Sequence, residues 1–180
     1  MVEGFTATVG IVLMDSTVTN DVNSARKIDM PRVRKYRDTD VEQVIFAWEN
    51  TQALAHPFLP IAFQNQERKN IRELYLPNAD TWVVEDEDQV VGFIALIGNE
   101  IGGLFVEPIH HGKNLGRLLV DKAQELHGNL VVEVFEKNAI GRKFYSQYGF
   151  TLVKGKVHEQ TGEKLLHLEF IADKILEKSI

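Results

Sequence analysis

Residues 101–126 restrict the fold more than any other stretch of the chain. Ile101-Gly102-Gly103-Leu104-Phe105-Val106 is a strand-forming run that ends at Pro108, which has no backbone N–H to give a neighbouring strand. A turn follows, His110-His111-Gly112-Lys113-Asn114-Leu115-Gly116-Arg117, and then Leu118, Leu119, Ala123 and Leu126 recur at helical spacing. The order is strand, glycine-containing turn, helix. Such a turn aims successive backbone N–H groups at one point where the helix dipole is positive, which is what holding a pyrophosphate requires. Lys113 and Arg117 add positive charge beside it. The turn lacks the Gly-Lys-Ser/Thr ending that would hold the magnesium of a nucleoside triphosphate, and it does not match the Gly-x-Gly-x-x-Gly of dinucleotide folds.

Around this unit the chain alternates strand and helix from Pro31 onward, so the expected class is α/β (α+β). Strands are expected at 33–36, 81–85, 90–97, 130–135, 151–157 and 165–171. Val41, Val44, Ile45 and Trp48 give a first helix an apolar stripe, with Thr39 or Asp40 as its cap. Pro57 and Pro60 stop it, and a second helix is expected at about 62–76. Asp86-Glu87-Asp88 reads as a solvated hairpin turn. Residues 30–180 therefore read as one domain and residues 1–29 as an N-terminal extension. The apolar run at 9–14 is far shorter than the roughly 20 residues of a membrane helix. No Lys or Arg precedes it as a secretory signal would need. The extension is read as a tag, an upstream start or a loosely attached segment, or else as an added edge strand at 4–14.

Composition narrows the chemistry. Across 180 residues, 26 acids against 20 bases give a net charge of -6, so nucleic acid is not expected as a partner. Cysteine is absent, which removes thiolate nucleophiles, disulfides and Cys-ligated metals together. Catalysis is left to Glu, Asp, His, Tyr, Ser, Thr or Lys. In the strand at 130–135, Leu130, Val132 and Val134 share one face and leave Glu133 on the other between Val131 and Phe135. Burial there raises a carboxyl's pKa and suits it to accept protons near neutrality. Asn138 stands at the next helix entrance, Ile140 and Phe144 lie four apart, Tyr145 follows, and Gly149 ends the helix. His110 and His111 are adjacent, so their side chains diverge, and with no third ligand nearby no metal site is expected.

Val106-Glu107-Pro108-Ile109-His110-His111-Gly112-Lys113-Asn114-Leu115-Gly116 resembles the acyl-CoA-binding signature of the GNAT superfamily of N-acetyltransferases, Arg/Gln-x-x-Gly-x-Gly/Ala after a Val-x-Pro strand end. Glu133-Val134-Phe135-Glu136-Lys137-Asn138 and Phe144-Tyr145-Ser146-Gln147-Tyr148-Gly149-Phe150 resemble the family's Glu-x-x-x-x-Asn and Phe-Tyr-x-x-x-Gly-Phe elements, in family order and spacing. The likeness covers about residues 32–170. Two positions depart from it: His111 stands where Arg or Gln is usual, and Asn114 where the first Gly is usual. Asn tolerates a positive φ better than most residues, so the turn is expected to survive. His111 still offers a ring N–H, with less charge than Arg.

The resemblance implies a mixed, largely antiparallel sheet with two splayed parallel central strands flanked by helices. It implies acetyl-CoA as cosubstrate, no metal, and direct transfer of the acetyl group to a primary amine. The amine belongs to a small molecule, or to a lysine or N-terminus of a peptide or protein. The pantetheine arm would pair like an extra strand between Leu104, Phe105 and Val106 on one side and 131–135 on the other. His111, Gly112, Lys113, Asn114, Leu115, Gly116 and Arg117 would hold the phosphates, and Asn138 would touch the cofactor. Tyr145 would contact the cofactor and protonate the departing thiolate, while Glu133 would accept the amine's proton, directly or through water. His56 lies where acceptors enter similar folds and is the expected substrate contact. A cytoplasmic protein with no membrane partner is expected, a homodimer being allowed. A reading from another class is a non-catalytic acyl-CoA-binding or interaction module on the same fold. His111 and Asn114 favour that module, and Glu133 and Tyr145 favour an enzyme.

Overall fold

In the computed structural model, which describes residues 30–172, seven strands form one sheet. They are β1 (Arg32–Lys35), β2 (Asp80–Asp86), β3 (Gln89–Ile97), β4 (Glu100–Val106), β5 (Leu130–Phe135), β6 (Thr151–Val157) and β7 (Lys164–Phe170). Their order is β1-β2-β3-β4-β5-β7-β6, and every neighbouring pair is antiparallel except β4 with β5. Helices α1 (Val41–Ala55), α3 (Leu115–His127) and α4 (Ala139–Tyr148) cover it, while α2 (Ile61–Asn70), which follows α1 in the chain, has no buried residue. The expected extension at 1–29, with its edge-strand alternative, lies outside the described residues. Among the described residues no helix is long and apolar enough to cross a membrane.

The parallel pair opens almost as soon as it forms. β4 and β5 are in register only at Glu100 with Val131 and Ile101 with Val132. Beyond that point each strand keeps its outer neighbour and loses the inner one. β5 pairs with β7 along its whole length, and β4 stays with β3 through Val106. Gly102 is the extra residue of a bulge in β4, because Leu96 opposes Ile101 while Ala95 opposes Gly103. A bulge bends its strand and increases local twist, which turns β4 away from β5. Gly92 sets the spacing on the other side. A Cβ at Gly92 would lie 2.7 Å from the Phe105 carbonyl oxygen, so only glycine lets β3 approach β4 this closely.

Side-chain alternation divides the interior into two cores. On one face Leu104, Val132 and Val134 pack with Leu119, Val120 and Tyr145 of α3 and α4. Leu119 is wholly buried, worth about 1.5–3 kcal/mol against exposure. On the other face Val44, Ile45 and Trp48 of α1 cover Val83, Phe93, Ala95 and Phe105. Leu59, Phe135 and Leu165 form a small third cluster under the segment that follows α1.

Two local expectations need correction. The second helix does not run regularly to about Leu76: α2 ends at Asn70, and Ile71–Tyr75 is a wider π-helical turn before a last helical turn, Leu76–Asn78. One inserted residue leaves the composition helical and shifts only the phase, so periodicity does not reveal it. Neither Thr39 nor Asp40 caps α1 through its side chain. The Asp40 carboxylate instead accepts the Arg37 N–H at 2.8 Å and two bonds from Arg34 at 2.7 and 2.9 Å. The Arg34 hydrogen bond holds Asp40 below its ordinary pKa against the opposing effect of burial.

Candidate active site

The segment between β4 and α3 turns through two left-handed residues, Gly112 with φ 82° and Asn114 with φ 59°. Glycine occupies one and asparagine, among the few side chains that tolerate this region, the other. The Asn114 side chain does not cap α3. The helix ladder begins with the Leu118 N–H to the Asn114 carbonyl at 3.1 Å, so the N–H groups of Leu115, Gly116 and Arg117 have no acceptor within the helix. These three residues line a cleft of about 360 Å³, together with Val106, His111, Gly112 and Asn114. Its other wall is one face of α4: Ile140, Lys143, Phe144, Gln147 and Tyr148. Arg117 lies 5.2 Å from the Tyr148 ring, and the Tyr148 hydroxyl donates to Asp121 at 2.7 Å, which joins the two walls. Arg117 and Lys143 bring positive charge, and among the described residues no Asp or Glu lines the cleft. Unsatisfied helix N–H groups, two cations and no acid fit an elongated polyanion.

Several residues expected at this site stand behind the cleft. Leu104 and Phe105 send their side chains into opposite cores, and Phe105 stacks on Phe93 with ring centroids 5.3 Å apart. Only their main chain borders the opening between β4 and β5. Lys113 is engaged elsewhere, its ammonium 2.5 Å from Asp86, and the same carboxylate oxygen lies 3.0 Å from His110 Nδ1. Asp86 is therefore not a solvated turn residue like Glu87 and Asp88. It is buried, and the Lys113 hydrogen bond keeps its carboxyl below the usual range. It fastens the β2–β3 hairpin to the turn before α3. His111 donates from Nε2 to the Val106 carbonyl at 2.7 Å, and that carbonyl also accepts from the Thr51 hydroxyl at 3.0 Å. The ring thus pins the end of β4 at the point where an Arg or Gln was usual.

His56 is wholly buried and offers no surface to an acceptor. Nδ1 donates to Gln52 Oε1 at 2.9 Å and Nε2 accepts from Asn138 Nδ2 at 3.0 Å. Desolvation lowers its pKa to about 3, which keeps the ring neutral. The Asn138 Oδ1 in turn accepts the Gly141 N–H at 2.9 Å, capping α4. A buried polar chain therefore runs from α1 to the start of the helix that carries Tyr145.

Tyr145 has no exposed surface, and its hydroxyl has no hydrogen-bond partner among the described residues. Burial pushes its pKa well above the ordinary value, so it stays protonated through the neutral range. Its ring packs in the α3/α4 core against Phe144 and Phe150. Glu133 projects from the other face of the sheet, the face on which Phe135 meets Leu59 and Leu165. It is the first β5 residue beyond the last β4–β5 pair. It does not stand alone among apolar side chains: Lys156 Nζ lies 2.8 Å from its carboxylate and His167 Nδ1 3.8 Å. Glu100, across the strand gap, is pushed up by burial and by the Glu133 charge. On the same face a small cavity of about 20 Å³ lies among Trp48, Phe93, Phe105, Gln52, Glu67 and Gly102. The Glu67 carboxylate accepts from the Tyr75 hydroxyl at 3.1 Å and from Asn70 at 2.8 Å, and burial raises its pKa. Among the described residues no cluster of His, Asp and Glu has the arrangement of a metal site.

Residues 77–152 match the family model of the acetyltransferase (GNAT) domain. The peptidyl-lysine N-acetyltransferase YjaB of Salmonella typhimurium is 33% identical over 122 residues, which cover 67% of this chain and 83% of the relative. The solution structure of apo-form YjaB from Escherichia coli superposes with a TM-score of 0.72 at 29% identity, over 79% of this chain and 98% of that one. The paiA N-acetyltransferase of Thermoplasma acidophilum, solved in complex with coenzyme A, shares the fold with a TM-score of 0.59 at 18% identity, over 76% and 97%. The chain belongs to the GNAT superfamily and is an acetyl-CoA-dependent N-acetyltransferase.

Proposed function

We propose that the protein transfers the acetyl group of acetyl-CoA directly to the side-chain amine of lysine in peptides or proteins. The observation that carries this reading is the placement of two titratable groups on opposite faces of the gap between β4 and β5. Tyr145 lies on the α3/α4 side with a hydroxyl that has no partner among the described residues, and Glu133 lies on the α1 side where the gap begins. Bound acetyl-CoA supplies an acyl thioester, an electrophilic carbonyl with a thiol leaving group. The N–H groups of Leu115, Gly116 and Arg117, with the Arg117 and Lys143 side chains, would hold its phosphates. The β4 edge beyond Ile101, unpaired with β5, would receive the pantetheine amides, and a main-chain N–H near Val106 would stabilise the developing oxyanion.

A lysine amine has an ordinary pKa of about 10.4 and must lose a proton before it attacks. Glu133 accepts that proton, directly or through water. Tyr145, held protonated by burial, donates to the departing sulfur. The chain contains no cysteine, which suits transfer without a thiol acyl-enzyme. The acceptor class is supported by two kinds of observation. The relative described above is named for peptidyl-lysine, and carboxylates of Glu67, Glu100 and Glu133 border the α1 face, where a cation is welcome. The test is acetyl-CoA turnover against lysine peptides, N-terminal peptides, polyamines and amino sugars, with the product identified by mass spectrometry. Lysine peptides are expected to give Nε-acetyl product fastest. Preferred turnover of an amino sugar or of α-amines overturns the acceptor assignment, and no turnover of any amine overturns the proposal.

A further inference from the structure

The lysine already lying against the candidate base is one of the protein's own. Lys156 sits on β6, the outer strand of the sheet, with its ammonium 2.8 Å from Glu133. We infer that Lys156 is an acetyl acceptor of the enzyme itself, modified in cis. The inference rests on the assignment of Glu133 as the base.

Three observations carry it. Glu133 is the first residue of β5 past the last β4–β5 pair, so Lys156 holds a primary amine where the two strands begin to part, on the face from which an acceptor must come. The Lys156 side chain is 59% exposed, so its stem is unconfined. Its only tether among the described residues is the ammonium's contact with a Glu133 side chain that is 16% exposed, and the flexible stem swings toward the thioester once that contact opens. Lys154 projects from the same face of β6 two residues away and has no ion-pair partner among the described residues, which makes it a built-in control.

The chemistry balances without an added oxidant or reductant. Lys156 Nζ gives one proton to Glu133 and forms a bond to the acetyl carbonyl carbon of acetyl-CoA, and the nitrogen loses its second proton to water as the amide forms; Glu133 later passes its proton to water as well. The C–S bond breaks, and the thiolate takes a proton from Tyr145, which recovers one from solvent. Ammonium and thioester yield amide, free thiol and one proton released to water. The acetylated side chain carries no charge, so its pair with Glu133 ends and the carboxylate is open to an incoming lysine.

The experiment incubates the full chain with acetyl-CoA alone, digests it at intervals and measures acetyl occupancy at each lysine by mass spectrometry. Parallel reactions contain a lysine peptide, and Tyr145→Phe reports acetylation that needs no enzyme chemistry. General acid–base assistance contributes about 10²- to 10⁴-fold, so Lys156 is expected to be labelled at least about 100-fold faster than Lys154. The rate should not depend on enzyme concentration, and it should collapse in Tyr145→Phe. Lys156→Arg should abolish the intact-mass gain of one acetyl group. Equal labelling of Lys156 and Lys154, undiminished labelling in Tyr145→Phe, or a rate proportional to enzyme concentration overturns the inference. Peptide acetylation with Lys156 unmodified overturns it while the proposed function stands, and failure of both reactions overturns both.

Discussion

Replacing Tyr145 by phenylalanine removes a single oxygen from a side chain that has no exposed surface. That oxygen has no hydrogen-bond partner among the described residues, so its loss breaks no internal bond. Burying an unpaired hydroxyl costs about 1–3 kcal/mol, a cost absent from the variant. In a domain of this size each kcal/mol moves Tm by about 2–4 °C, so Tyr145→Phe should melt several degrees higher than the parent. Turnover should move the other way. Loss of a general acid costs about 10²- to 10⁴-fold, or roughly 3–5 kcal/mol in the barrier. Calorimetry of the free protein measures the first effect, and release of free CoA at saturating acetyl-CoA and lysine peptide measures the second. A Tm lowered by more than about 3 °C would mean that the hydroxyl has a structural partner, and the stability argument fails. Turnover within about threefold of the parent removes the acid role. A more stable and slower enzyme is the combination that the buried, unsatisfied hydroxyl demands.

Three further outcomes follow from the geometry. Asp86→Ala strips Lys113 and His110 of their common carboxylate; charge-assisted bonds of this kind are worth about 1.5–3 kcal/mol, so CoA affinity measured calorimetrically should fall roughly tenfold or more. An unchanged affinity refutes a role for Asp86 in holding the turn. His56 has a folded pKa of about 3 against an ordinary value near 6.5, so below pH 6.5 the unfolded chain takes up a proton that the folded one refuses. Stability then falls as pH drops from about 6.5 toward 3, by roughly 2 kcal/mol between pH 7 and pH 5 for this group. A His56 ring resonance titrating near 6.5 in the folded protein contradicts this. Gly92→Ala drives a methyl against the Phe105 carbonyl at 2.7 Å and should destabilise by about 1–3 kcal/mol in urea denaturation. A change below about 0.5 kcal/mol shows that β3 yields without cost.

The strands, and the turn before α3, were legible because their determinants are local. Alternation marks β5, proline ends β4, and a tolerance for positive φ explains Asn114. The parallel pair came from resemblance, since nothing in the residues alone orients β4 against β5. Hidden from the sequence are partnerships between distant positions. Asp86 meets His110 and Lys113 from 24 and 27 residues away, and His56 meets Asn138 from 82 away. A histidine in a proline-rich segment reads as a surface contact, yet Gln52 and Asn138 satisfy both ring nitrogens and make its burial affordable. The cleft's second wall was half visible. Ile140 and Phe144 announced an apolar face on α4, but Lys143, Gln147 and Tyr148 become cleft residues only through the packing of α4 against α3. Lys156 gave no signal at all, because its partner Glu133 reaches it across β7, which lies between β5 and β6.

A sheet that parts in its middle is a sheet with a missing member. β4 beyond Ile101 faces β5 without pairing to it, and a ligand whose amides take that place completes the ladder. Saturation and folding then become one linked equilibrium. Ligand at a hundred times its Kd adds about 2.7 kcal/mol to the stability of the folded form. Coenzyme A without its acetyl group carries the same amide-bearing arm, so spent cofactor protects the fold nearly as well as fresh. The protein's resistance to heat and proteolysis should accordingly follow the whole coenzyme A pool, while its turnover follows only the acetylated fraction.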